Sequence, residues 1–122
     1  MGVKSLNKYL NQYAAADEKS KGLKGSAMGI TGLETAFPVL YTFLVKKDII
    51  TLEKLIELMA INPRKRFDIP LNTDYTVWDL DKEYTIKAKD FLSKGKAMPF
   101  EDMTVNGKCV LTVCNGKVVY SE

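Results

Sequence analysis

The spacing of apolar residues changes once along this chain, near Tyr75. Before that point they recur at helical intervals, and after it they alternate. Helical signals followed by strand signals mark an α+β fold, with N-terminal helices and then a small antiparallel β-meander. At 122 residues the chain is of single-domain size, and its apolar fraction of 46% is ordinary for a globular protein. Three segments are expected: 1–21, a helix and polar linker; 22–70, a glycine loop and helices; and 71–122, a small antiparallel β segment.

In the first segment Ser5 is a candidate cap. Val3, Leu6, Leu10, Tyr13 and Ala14 share a helical face, and Asp17 to Lys21 form a solvated charge run. The second segment opens with Gly22, Gly25, Gly29 and Gly32, half of the eight glycines in the chain. Such a loop lets a ligand approach the main chain. It runs into a helix start, where unpaired N–H groups and the dipole favour an anion. A plain turn is the competing reading, since neither Gly-x-Gly-x-x-Gly nor the Gly-x-x-x-x-Gly-Lys-Ser/Thr pattern is present. Thr31 and Glu34 fit a capping box. Leu33, Ala36, Phe37, Leu40, Tyr41 and Leu44 form one apolar face. Pro38 is harmless only near a helix start, so a tight or 3₁₀-like turn and then helix from about Ala36 are predicted, ending near Lys46-Lys47.

A further helix is signalled at Thr51 to Ala60, capped by Thr51, with Leu52, Leu55, Ile56 and Met59 as its buried stripe. It is predicted to stop at Asn62-Pro63, where Asn62 caps a short third helix through Phe67. The Arg64-Lys65-Arg66 triplet reads as a solvated face. Beyond it, strands are predicted at Thr76 to Leu80 and Tyr84 to Lys87, with a turn at Asp79 to Lys82. A brief turn or helix at Asp90 to Leu92 and a loop at Ser93 to Phe100 follow. Asn106-Gly107 and Asn115-Gly116 read as two hairpin turns bracketing a strand at Lys108 to Cys114. Met103 to Val105 and Lys117 to Tyr120 are the flanking strands.

The absence of histidine narrows the chemistry most, because it removes the commonest general base and the commonest zinc ligand. Cys109 and Cys114 cannot make a zinc site by themselves. Five positions apart on one strand, they lie on the order of 16 Å apart and face opposite ways, so no disulfide is expected. The formal net charge of +3 is mild and the basic residues are scattered, which argues against a nucleic-acid binder. No apolar run reaches transmembrane length and no secretory leader is evident, so the expectation is a cytoplasmic protein without a membrane partner.

Two stretches, read together, resemble the class I dihydroorotases of the amidohydrolase superfamily. The first is Gly29-Ile-Thr-Gly-Leu-Glu-Thr-Ala-Phe-Pro-Val-Leu-Tyr-Thr42, similar to the loop and helix after the last barrel strand. The second joins Asn62-Pro63, Asp74 to Asp81, Phe91 to Lys94, Pro99-Phe100 and Gly107-Lys108 in the order and spacing of that family's C-terminal segment. The resemblance covers about residues 18 to 122 and is confined to the C-terminal third of the family. It implies the end of a TIM-like barrel plus the C-terminal part of a small β domain. It also implies a cyclic-amide hydrolase that interconverts carbamoyl-aspartate and dihydroorotate at a zinc centre. The Asp and His residues of the family's Asp-His-Ala-Pro-His motif do not occur here, where the chain reads Leu10 to Asp17. Neither catalysis nor zinc binding is therefore expected of this chain alone. The resemblance carries over substrate binding at Ala27, Met28 and Gly29, with Ala27 standing where many members have proline. The implied partners are a missing barrel portion or a second copy of the chain. The alternative function is a non-catalytic interaction or self-assembly module derived from the same family.

Overall fold

A computed structural model describes Gly22 and residues 29–122 of the chain. The proposed helix at Ser5 to Ala14, the charge run at Asp17 and the loop positions Ala27 and Met28 lie outside the described residues. Two helical stretches precede a three-stranded antiparallel sheet, as the change of spacing at Tyr75 requires. The residues divide into two units. One comprises the described part of Met1–Ala36 with Thr85–Thr104, and the other comprises Phe37–Tyr84 with Val105–Glu122.

The first helix, α1 (Ala36–Leu40), begins on the last residue of the first unit's N-terminal part and continues in the second without interruption into a π-helical turn, Tyr41–Val45. The expected tight entry is present: residues 33–35 form a turn, and the Thr35 and Ala36 amides both donate to Gly32 O. Pro38 thus sits in the first turn and is buried. Thr42 Oγ1 donates to Pro38 O at 2.7 Å, the carbonyl one turn back. Such back-bonding competes with the regular ladder and accompanies the widened turn, closed by Lys46 N donating to Tyr41 O. The helix ends beside Lys46-Lys47 with Asp48 at φ 55°, a left-handed conformation that Asp tolerates.

Thr51 caps α2 (Leu52–Ile56) as expected, its hydroxyl accepting from Lys54 N. The predicted stop at Asn62-Pro63 does not occur. A π-turn, Glu57–Ile61, leads directly into α3 (Asn62–Arg66), and Asn62 itself is helical at φ −64°, ψ −42°. The wider turn moves the carbonyls that the proline ring would otherwise strike, so the helix passes through Pro63. Instead of capping, the Asn62 amide reaches back to Glu57 Oε1. Of the predicted stripe only Leu55 is buried, at 2% exposure. Leu52 is half-buried, while Ile56 and Met59 are exposed. The triplet after Pro63 is a solvated face, as expected, apart from Arg64, which donates to Pro70 O.

The sheet has the order β1 (Tyr75–Thr85), β2 (Thr104–Cys114), β3 (Lys117–Ser121). β1 is one strand where two were predicted. The Asp79 carboxylate, instead of making a reversal, accepts from the amides of Asp81 and Lys82 two and three residues on, a local bond that the strand accommodates. Asn115-Gly116 is the β2–β3 hairpin turn, with φ of 50° and 72°, the signature of a two-residue type I′ turn. Val113 faces Val118 while Thr112 faces Tyr120, so Val119 is an extra residue in a bulge. Asn106-Gly107 is not a turn. Both residues are buried inside β2, the central strand. Phe37 stacks on Trp78 with ring centroids 4.2 Å apart and lies with Tyr41 over Gly107.

In the first unit, Ile86 exchanges backbone bonds with Met103 and Asp102, and the chain between them makes an excursion that begins with a 3₁₀ turn, Ala88–Asp90. Ile86, Gly95, Ala97, Thr31 and Thr35 are the buried ones among its described residues. Leu33, placed by spacing on the apolar helix face, sits in the entry turn instead and is 83% exposed.

Candidate functional site

The glycine loop is the candidate site, and its described part is Gly29 to Gly32. Gly29 has φ 105°, and Gly29 and Ile30 are exposed. Among the described residues beyond its chain neighbours, no heavy atom lies within 4 Å of a Cβ built on Gly29, which leaves that side of the backbone open to approach. The helix start offers less than the sequence suggests, because the Thr35 and Ala36 amides are already spent on Gly32 O. The Thr31 amide is likewise committed, donating to Ala97 O at 2.9 Å.

The predicted capping box is not made. Thr31 Oγ1 is buried and finds no hydrogen-bond partner among the described residues, in a residue only 6% exposed. A buried hydroxyl left unpaired is uncommon and asks for a partner. Glu34 turns the other way. Its two carboxylate oxygens accept from the adjacent amides of Leu92 and Ser93, at 3.0 and 2.9 Å. The strap at residues 91–97 has therefore replaced one of the two bonds of the box: its carbonyl holds the Thr31 N–H, and its amides hold the Glu34 carboxylate, while the Thr31 hydroxyl takes no part. Sequence spacing cannot reveal this, since the partners lie about sixty residues away.

A second carboxylate with a fixed role is Asp74. It accepts from Asn115 N at 2.7 Å, from the Asn72 side chain at 2.8 Å and from Cys114 Sγ at 3.5 Å. The Asn115 amide, then Cys114 and Asn72, hold its carboxyl below the usual carboxylate range, and the same carboxylate pushes the Cys114 thiol up. Cys109 and Cys114 are both free. The folded-state carboxyl titrates below the unfolded one, so the stabilisation is present above the unfolded pKa and fades as pH falls through the folded pKa. Asp74→Ala is expected to lower the thermal midpoint at neutral pH, with the gap to wild type closing in acid. The variant's Cys114 should also alkylate faster at a fixed pH near 8. Equal alkylation rates in the two proteins would show that the carboxylate does not govern the thiol.

The chain has no histidine, and among the described residues no three Cys, Asp or Glu side chains come together as zinc ligands would. None of the described helices is long and apolar enough to cross a membrane.

Solved structures place this architecture among amidohydrolase-superfamily chains. The L-hydantoinase (dihydropyrimidinase) of Arthrobacter aurescens superposes with a TM-score of 0.76 at 29% identity, over 95% of this chain and 31% of that one. A D-hydantoinase shares the fold at a TM-score of 0.77 and 20% identity, over 99% of this chain and 32% of its own. Sequence narrows the class further. Dihydroorotases of Fusobacterium nucleatum and Bacillus pumilus are 47% and 44% identical to the chain over 113 residues, each match covering 87% of it. That of Ligilactobacillus salivarius is 44% identical over 114 residues. The chain spans only 27%, 26% and 27% of those relatives. It is homologous to the C-terminal portion of the dihydroorotases. No protein-family model matches it.

Proposed function

We propose that this chain carries the substrate-anion loop of a dihydroorotase-type site and has no turnover of its own. In this reading residues 22–70 correspond to the end of a TIM-like barrel and residues 71–122 to part of a small β domain. Ala27, Met28 and Gly29 hold the carboxylate of dihydroorotate through the backbone, while the metal ligands and the proton-carrying Asp come from a barrel portion. Among the described residues, the observation that carries the reading is the exposed Gly29-Ile30 backbone next to a buried Thr31 hydroxyl with no partner. An open backbone and an unsatisfied donor suit an anionic, oxygen-rich ligand better than a plain turn does. A cytoplasmic location fits the same reading.

Titrating dihydroorotate into isotope-labelled chain is expected to shift the amides of Gly29 and Ile30 at millimolar ligand. A lone loop supplies few of the contacts of a closed pocket, so the affinity is weak. No shift at saturating solubility leaves only the turn. Added zinc should raise hydrolysis of dihydroorotate no higher than buffer alone.

Self-association is the second proposal, favoured by large apolar side chains left in water, among them Leu33, Phe67, Leu71 and Leu92. Exposed apolar surface of this kind drives association. Sedimentation velocity should detect a dimer at micromolar concentration, and a monomer throughout the range would remove the proposal.

A further inference from the structure

We propose that Glu34 is a positioning residue of the anion loop, holding the strap at residues 91–97 against Gly29 to Gly32; this rests on the loop reading given above. The strap has a weak half and a strong half. Gly95 and Ala97 are buried, whereas Leu92 and Lys94 are exposed, so burial fixes the far end only. At the near end the Glu34 carboxylate takes the neighbouring Leu92 and Ser93 amides, one per oxygen. Charge-assisted bonds of this kind are about twice as strong as neutral ones. Lys96 Nζ closes the strap on itself by donating to Phe91 O at 2.8 Å. The strap in turn holds the loop, through the bond from Thr31 N to Ala97 O. Had Glu34 closed a capping box, its carboxylate would have taken the Thr31 amide and left the strap with no acceptor. Loop and strap are thus one device, in which Glu34 sets how rigidly the Gly29-Ile30 backbone is presented.

Amide exchange on the whole chain tests this, comparing wild type, Glu34→Ala and Glu34→Gln. In Glu34→Ala the amides of Leu92, Ser93 and Thr31 should exchange about tenfold faster or more, as expected for losing bonds to a charged acceptor. Those of Leu55 and Val113 should stay as in wild type. Glutamine keeps one acceptor oxygen, so Glu34→Gln should recover part of the protection, including that of Thr31. Acceleration confined to Leu92 and Ser93 would overturn the proposal, because the loop would then not feel the clasp. Loss of protection at Leu55 and Val113 in both variants would also overturn it, making Glu34 a general stability element. Dihydroorotate titration of the wild type separates the two readings: no response there ends the substrate reading, while the exchange result stands for the clasp.

Discussion

Gly107→Val is expected to remove about 3–5 kcal/mol of stability, through positive-φ strain in a β-branched residue and overpacking. That is a large part of the roughly 5–15 kcal/mol that holds a domain of this size. Gly107 has φ 91°, in a region that β-branched residues essentially never occupy. Its missing side chain is also the floor beneath two rings. A Cβ there would meet Phe37 Cε1 and Tyr41 Cδ1, each at 3.4 Å. That distance is ordinary van der Waals contact, so alanine fits the space. Gly107→Ala should therefore cost only the backbone term, about 1–2 kcal/mol. Valine adds two γ-methyls to a Cβ already in contact with both rings, so it is expected to lift Phe37 off Trp78. Trp78 is the only tryptophan in the chain and stacks on Phe37, so its fluorescence reports the event directly. Urea midpoints should fall in the order wild type, alanine, valine. A valine variant with the wild-type midpoint would show that neither the positive φ nor the ring contact is kept in solution.

The same dipeptide shows what a sequence can and cannot say. Asn-Gly occurs twice in the last seventeen residues, and both copies carry the same local preference for positive φ. Asn115-Gly116 uses it to reverse the chain. Gly107 uses it to admit two aromatic rings, an arrangement that depends on Phe37 and Tyr41, far away in the chain. The turn reading holds at Asn115-Gly116 and fails at Asn106-Gly107, where of the two residues only Gly107 takes a positive φ and tertiary packing keeps the pair inside β2. The turn at Asp79 to Lys82 follows the same logic: the side-chain bonds typical of a turn are present, yet the strand continues through them. At Asn62-Pro63 the stop signal is real, but a π-turn absorbs it. What was legible were features completed within a few residues: the Thr51 cap, the Asn115-Gly116 hairpin, the tight entry before Ala36 and the change of period at Tyr75. In the candidate site Gly29 could be singled out by resemblance, whereas the Glu34 clasp could not, because its partners are distant.

Asn106 is the second position where a single change should be costly. Its side chain is buried at the junction of three elements, and each of its polar groups has a partner. Its amide donates to Thr42 Oγ1 at 2.8 Å, and its Oδ1 accepts from Lys46 Nζ at 2.8 Å. Its Nδ2 donates to Asp81 O at 3.3 Å, tying β2 to β1. Asn106→Ala keeps the backbone bond and loses the other two. Lys46 is exposed and can recover water, so its share is discounted to about 1 kcal/mol, while the part-buried bond to Asp81 O and the cavity bring the total to roughly 2–3 kcal/mol. Asn106→Asp distinguishes the two lost bonds. It retains an acceptor for Lys46 but sets a carboxylate oxygen against the Asp81 carbonyl, where the amide had donated. If the bond to β1 dominates, the aspartate variant is as unstable as the alanine variant despite its gained charge pair. If the Lys46 bond dominates, aspartate is near wild type and Lys46→Met reproduces the loss. A double-mutant cycle of Asn106→Ala with Lys46→Met should give a coupling of about 0.5–1.5 kcal/mol, the range for contacting residues in one network. Strict additivity in that cycle would exclude the Lys46 bond as a source of stability and leave the junction to the strand pairing alone.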